Sequence, residues 1–154
     1  MKNQQIIITC LFILIGFKSF ACSCPVFKNL ERLQLSEFER SECIFIGEVL
    51  EINAENNTYK IKVLDSLKGT ENGQVYEGTY DTQCGPTIYE LGKWIFYGRT
   101  DSNGILKVNE CGLTRTFKNP SHDFLDFNQT KSKLAKIAQM DLLLEIKKVR
   151  NRME

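Results

Sequence analysis

"CIFIGEVLEIN", residues 43–53, reads as a strand, and the fold turns on how the chain continues from it. After "AENN", a run of turn residues, "TYKIKVLDSL" (58–67) alternates Tyr59, Ile61 and Val63 with Lys60 and Lys62. That period of two is the mark of a half-buried strand, so the two segments form a hairpin. "GQVYEGTYD" (73–81) comes after the turn "KGTENG", and "GKWIFYGR" (92–99) and "GILKVNE" (104–110) flank "TDSNG" as a second hairpin. Five strands interrupted by Gly47, Gly78 and Gly98 suit a small, strongly bent barrel, because glycine lets a strand coil at a corner. Trp94 and Tyr97 then belong to the barrel core.

Helices flank the strands. "KNLERLQLSEFERSE" (28–42) contains good helix formers and no glycine or proline, with Leu30, Leu33 and Phe38 directed inward. The segment 131–149 repeats Ala135, Ala138, Leu142, Ile146 and Val149, widened by Leu134 and Ile137, as an amphipathic helix that caps the barrel, a partner-binding or membrane-surface helix being the other reading. The chain is therefore mainly β with flanking helices.

The N-terminus has the signs of a cleaved leader. Lys2 is basic, Ile6 to Phe17 form a 12-residue apolar run, and Ser19-Phe20-Ala21 sets small residues at the −3 and −1 positions. The run is too short for a membrane span, which takes about 20 apolar residues. Residues 1–21 are thus read as a signal peptide, leaving 133 of the 154 residues (22–154) as one domain in a secreted, extracellular or periplasmic protein. Lys2 and Lys18 leave with it, so 20 basic residues become 18 against 19 acidic. That near-neutral balance gives no electrostatic footprint for nucleic acid or for an anionic membrane, although the C-terminal segment is locally basic.

Cys10 also departs, leaving Cys22, Cys24, Cys43, Cys84 and Cys111. The number is odd, so one thiol stays free. Cys43 opens an apolar run and suits the role of a small buried hydrophobe. A bond between Cys22 and Cys24 would be strained and would staple little chain, so each reaches separately to Cys84 or Cys111, in one of two pairings. His122 is the single histidine, which argues against a metal site of the protein's own. No Ser/His/Asp set, carboxylate pair in a defined cleft or phosphate loop is apparent, which points away from an enzyme and from a resident cofactor.

An exported Cys-X-Cys at the mature N-terminus, "SECIFIGEV", "SLKGTENG", "TQCG", "GKWIFYG" and "GILKVNEC" succeed one another in the order found in the tissue inhibitors of metalloproteinases. The chain resembles that family over about residues 22–115, and more broadly the netrin-like modules. The resemblance implies a five-stranded OB-fold barrel with the N-terminal segment disulfide-stapled to it through Cys22–Cys84 and Cys24–Cys111. It also implies a zinc metalloprotease as partner, met by a reactive ridge of Cys22, Ser23, Cys24, Pro25, Thr82, Gln83, Cys84 and Gly85. Three features depart from the family: Glu39 stands where a further cysteine is usual, one residue is missing between Cys24 and Pro25, and a plain helix replaces the disulfide-rich C-terminal subdomain.

The chemistry of such a ridge comes from its atoms. A free Cys22 amine, with an ordinary pKa of about 8, and its own carbonyl oxygen form a five-membered chelate for a divalent metal. The zinc of a metalloprotease keeps one position for water, and a wedge offering both ligands displaces that water and with it the nucleophile. The protein itself then needs no cofactor; the zinc belongs to the target. Two readings compete. One is a netrin-like module that binds a protein without inhibiting a protease. In the other, Ser19-Phe20-Ala21-Cys22 is a lipoprotein processing site, and a lipid-anchored Cys22 holds the protein at the cell envelope. Lipidation would consume the Cys22 sulfur, usually block its amine, and orphan Cys84.

Overall fold

A computed structural model describes residues 24–79 and 87–153. The leader expected over 1–21 lies outside the described residues. Helix α1 (Leu30–Arg40) precedes strands β1 (Cys43–Asn53), β2 (Thr58–Lys68), β3 (Val75–Thr79), β4 (Gly92–Thr100), β5 (Leu106–Val108) and β6 (Arg115–Thr116), and helix α2 (Lys131–Met153) ends the chain. The predicted strands lie where the sequence pattern puts them, with the third beginning at Val75 and the fifth shortened to Leu106–Val108. Two-residue β6 has no counterpart among the predicted strands, since so short a segment has no period to read.

Strand β1 pairs antiparallel with β2 along one edge and with β4 along the other. β2 continues antiparallel to β3, β3 runs parallel to β5 at Gly78 and Leu106, and β5 returns antiparallel to β4. The ring closes in the order 1-2-3-5-4-1, a five-stranded OB-like barrel with no free edge among its five strands. β6 adds to β4 outside the ring, opposing Trp94 with Thr116 and Ile95 with Arg115.

Two cores share these strands. Phe45, Val49, Tyr59, Ile61, Trp94 and Phe96 fill the interior. Ile44, Ile46, Ile95 and Tyr97 point outward and are covered by Leu33 of α1 and by Leu142, Ile146 and Val149 of α2. Residues 43–47 are thus buried on both faces, which is why that stretch reads as a continuous apolar run instead of alternating. Trp94 sits in the interior core as predicted, whereas Tyr97 belongs to the outer one. Gly78 marks a close approach: a Cβ there would lie 2.0 Å from the Tyr59 ring. Its absence lets Tyr59 cross β3 and donate its hydroxyl to the Leu106 carbonyl at 3.3 Å, linking β2 to β5.

Asn29 caps α1 by accepting from the Arg32 N–H at 2.9 Å. At the other end, Lys68 Nζ donates to the carbonyls of Phe38 (2.7 Å) and Ser41 (2.6 Å), using two of the acceptors a helix C-terminus leaves open. Leu33 is buried as expected, and Leu30 and Phe38 are partly buried against the same core. Helix α2 buries Ala138, Leu142, Ile146 and Val149, but Ala135 is exposed. Full burial begins only at Ala138, so the first two turns of the helix reach beyond the close contact that the periodic stripe implies.

One polar cluster fastens α2 to the rest. Glu145, itself 1% exposed, receives Arg115 Nη1 at 3.1 Å and Nη2 at 2.9 Å, the Tyr97 hydroxyl at 2.8 Å and Gln34 Nε2 at 2.8 Å. Burial, reinforced by the Glu145 charge, pushes the Tyr97 phenol far above its ordinary pKa. Four donors on one carboxylate compensate its removal from water, while the buried Arg115 Nε is left without a hydrogen-bond partner among the described residues.

Candidate functional site

The chain enters the described structure at Cys24 and reaches α1 through five residues. Cys24 is bonded to Cys111, with Cα atoms 5.4 Å apart and 87 positions between them in sequence. Three residues on, Phe27 packs against the outer core. Between these anchors Cys24, Pro25 and Val26 are exposed, Val26 at 98%. A short apolar edge is therefore presented to solvent and held at both ends.

Its support is built around Glu37, a carboxylate only 1% exposed on α1. Asn109 Nδ2 donates to Glu37 Oε1 at 2.7 Å, and the Leu113 N–H donates to Oε2 at 3.4 Å. Asn109 Oδ1 in turn accepts from the Cys111 N–H at 3.1 Å. Gly112 is required here, because a Cβ would stand 2.1 Å from Glu37 Oε2. Burial raises the Glu37 carboxyl above its ordinary pKa of 4.5, with the Asn109 and Leu113 hydrogen bonds opposing the shift. The helix next to the exposed edge thus also grips the loop to which that edge is bonded.

The barrel topology sets what lies nearby. Because β3 and β5 are parallel where Gly78 meets Leu106, Thr79 and Val108 lie at the same barrel end, from which the chain continues to Cys111. Lys107 Nζ bonds Thr79 Oγ1 across that end. An open cleft of about 520 Å³ lies beside it, lined in part by Arg40, Thr79, Arg99, Lys107 and Glu110. A second depression, also of about 520 Å³, runs under Cys24, Pro25 and Cys111 toward His122 and Phe124. His122 Nε2 lies 3.1 Å from Asp141 Oδ2, while its Nδ1 accepts from the Phe124 N–H at 3.3 Å. Both ring nitrogens are engaged, so this histidine positions its loop.

Of the predicted ridge, the structure describes Cys24 and Pro25. Cys22, Ser23, Thr82, Gln83, Cys84 and Gly85 lie outside the described residues, and so does the Cys22–Cys84 pairing. Cys43 is a buried free thiol, pushed up to about 11 chiefly by burial. Glu37, Asn109 and Gly112 escaped the sequence reading. A polar residue on an amphipathic helix reads as solvent-facing, and nothing in "SEFERSE" distinguishes Glu37 from Glu39. The sequence matches no protein-family model and no curated protein at a significant level. Among the described residues, no group of three or more His, Cys, Asp or Glu side chains is arranged to hold a metal ion.

Proposed function

We propose that this protein is an exported inhibitor of zinc metalloendopeptidases, binding its target through the N-terminal edge and performing no chemistry of its own. The observation that carries the reading is the Cys24–Cys111 bond, which pins the residue two positions after Cys22 to the barrel and leaves Cys24-Pro25-Val26 exposed. A preorganised edge loses little entropy when it docks, so rigidity there favours tight insertion into a cleft. In this reading cleavage after Ala21 frees the Cys22 amine. The amine and its carbonyl oxygen then take the water position on the target's zinc. Ser23 enters the adjoining specificity pocket, and Thr82, Gln83 and Gly85, tied alongside by Cys22–Cys84, complete the ridge.

The test is an inhibition assay against several zinc endopeptidases, using protein whose N-terminus has been established by intact mass. The free amine should inhibit. One residue added before Cys22, or acetylation of its amine, should abolish inhibition while the circular dichroism and thermal unfolding stay unchanged. Equal potency after extension would sink the chelate. An unextended terminus that inhibits nothing across the panel would leave the non-inhibitory, netrin-like binding module. An acylated Cys22 would give the lipid-anchored form.

A further inference from the structure

Helix α2 is apolar on two sides, and the barrel uses only one. Opposite the buried stripe, Met140, Leu143 and Leu144 are exposed at 62%, 55% and 53%. They are neighbours on one face, spaced i, i+3 and i+4. Exposed Lys133 and Lys136 precede them on that face and exposed Lys147 comes after, all at the same three- and four-residue steps. None of these lysines makes a hydrogen bond or ion pair among the described residues. The Lys133 charge acts on Asp126 in the preceding loop, whose carboxylate is already engaged by Asn128 and Gln129.

The helix has two acids within its bounds, and both are turned away from this face: Asp141 meets His122, and Glu145 meets Arg115. Its remaining cations near the C-terminus are occupied, with Lys148 on Gln34, Arg150 on Asp65 and Arg152 over the Phe38 ring. What stays open is an apolar centre with lysines at both ends and no exposed acid from the helix.

We propose that this face of α2 lies on an anionic lipid surface. The helix is 23 residues long, and among the described residues no helix is long and apolar enough to cross a membrane, so it would rest in the plane of the interface. Met140, Leu143 and Leu144 enter the headgroup boundary, while the lysines lay their stems along it and keep their ammonium groups at the phosphates. A second copy of the chain is a poor occupant, because it would set unpaired lysines against unpaired lysines. A nucleic acid would meet the lysines but leave the apolar centre without a partner.

The test uses full-length purified protein whose intact mass excludes an acyl chain on Cys22. Flotation is measured with vesicles of phosphatidylcholine alone and of equimolar phosphatidylcholine and phosphatidylglycerol, with heparin binding in parallel. The protein should float with the anionic vesicles and stay behind with the neutral ones. Replacing Lys133, Lys136 and Lys147 with Gln should weaken binding about fivefold per lysine. The combined Met140→Ser, Leu143→Ser, Leu144→Ser variant, changed only at exposed positions, should weaken vesicle binding by about tenfold or more and leave heparin binding unaltered. Equal partition to the two vesicles, no flotation with either, heparin binding without flotation, or an apolar variant as tight as the parent would each overturn the proposal.

Discussion

Asn109 donates its side-chain amide to Glu37 Oε1 at 2.7 Å across 72 positions of sequence, joining α1 to the loop that holds Cys111. Burial raises the Glu37 pKa above its ordinary 4.5. A carboxyl whose folded pKa is raised binds its proton more tightly in the folded state. Its contribution to stability is therefore complete below the unfolded pKa and is lost as pH rises through the folded one. Denaturant unfolding across that range should show the parent losing stability relative to Glu37→Gln, which cannot ionise. Parallel profiles would mean that Glu37 titrates alike in both states.

Gly112→Ala places a methyl group 2.1 Å from Glu37 Oε2 and 3.0 Å from the Asn109 carbonyl oxygen. Neither neighbour is free to move, since the carboxylate is buried and hydrogen-bonded. A loss of about 1–3 kcal/mol is expected from equilibrium unfolding. Alanine at Gly73, where a Cβ would meet nothing within 4 Å, tests a separate effect, the backbone strain at φ +85°.

Removing Glu145 strands a buried guanidinium, because the Arg115 side chain is only 7% exposed. Glu145→Ala should therefore cost about 3–5 kcal/mol, and the paired replacement Arg115→Met with Glu145→Leu should recover most of it. Thermal unfolding of the parent and the two variants gives the ranking. Limited proteolysis should also cut α2 first in the single variant, since Tyr97 and Gln34 lose their shared acceptor as well.

Non-reducing peptide mapping should join Cys24 to Cys111 and find Cys43 reduced. Closing a loop of this length contributes about 4.6 kcal/mol in the chain-entropy account, so Cys24→Ser with Cys111→Ser should lower the denaturation midpoint accordingly. Cys43, 3% exposed and with its thiol pushed up to about 11, should resist alkylation at neutral pH until denaturant is added. Rapid labelling of the native protein would contradict its burial.

The barrel was legible because its strands declare themselves locally. Tyr59, Ile61 and Val63 alternate with lysines, and the turns between strands carry Asn, Asp and Gly where a chain must reverse. The polar supports were not legible, for the same reason reversed. Gln34, Glu37 and Glu145 sit on helices at positions where pattern alone assigns a charged or amide side chain to water, and their partners Asn109 and Arg115 are far away in sequence. Burial of such a group depends on a specific acceptor or donor arriving from another element, and periodicity contains no record of that arrival. At the candidate site the cysteine spacing suggested a staple, but which sulfur meets which came only from the family resemblance. The outward apolar triad of α2 was hidden differently: one helix with two apolar sides blurs the single stripe that a sequence reader looks for.

The ion pair between Arg115 and Glu145 can form only after the last helix has been synthesised. The two residues are 30 positions apart, and the acid belongs to the last helix. A chain emerging N-terminus first can complete all six strands before that helix is available, yet at that stage Arg115 has no carboxylate and the outer faces of Ile44, Ile46 and Ile95 lack the Leu142, Ile146 and Val149 side chains that cover them. Until α2 docks, the barrel therefore carries an apolar flank and a solvated guanidinium. An exposed apolar flank of this kind makes a partly folded chain prone to association, and docking of the final helix removes it.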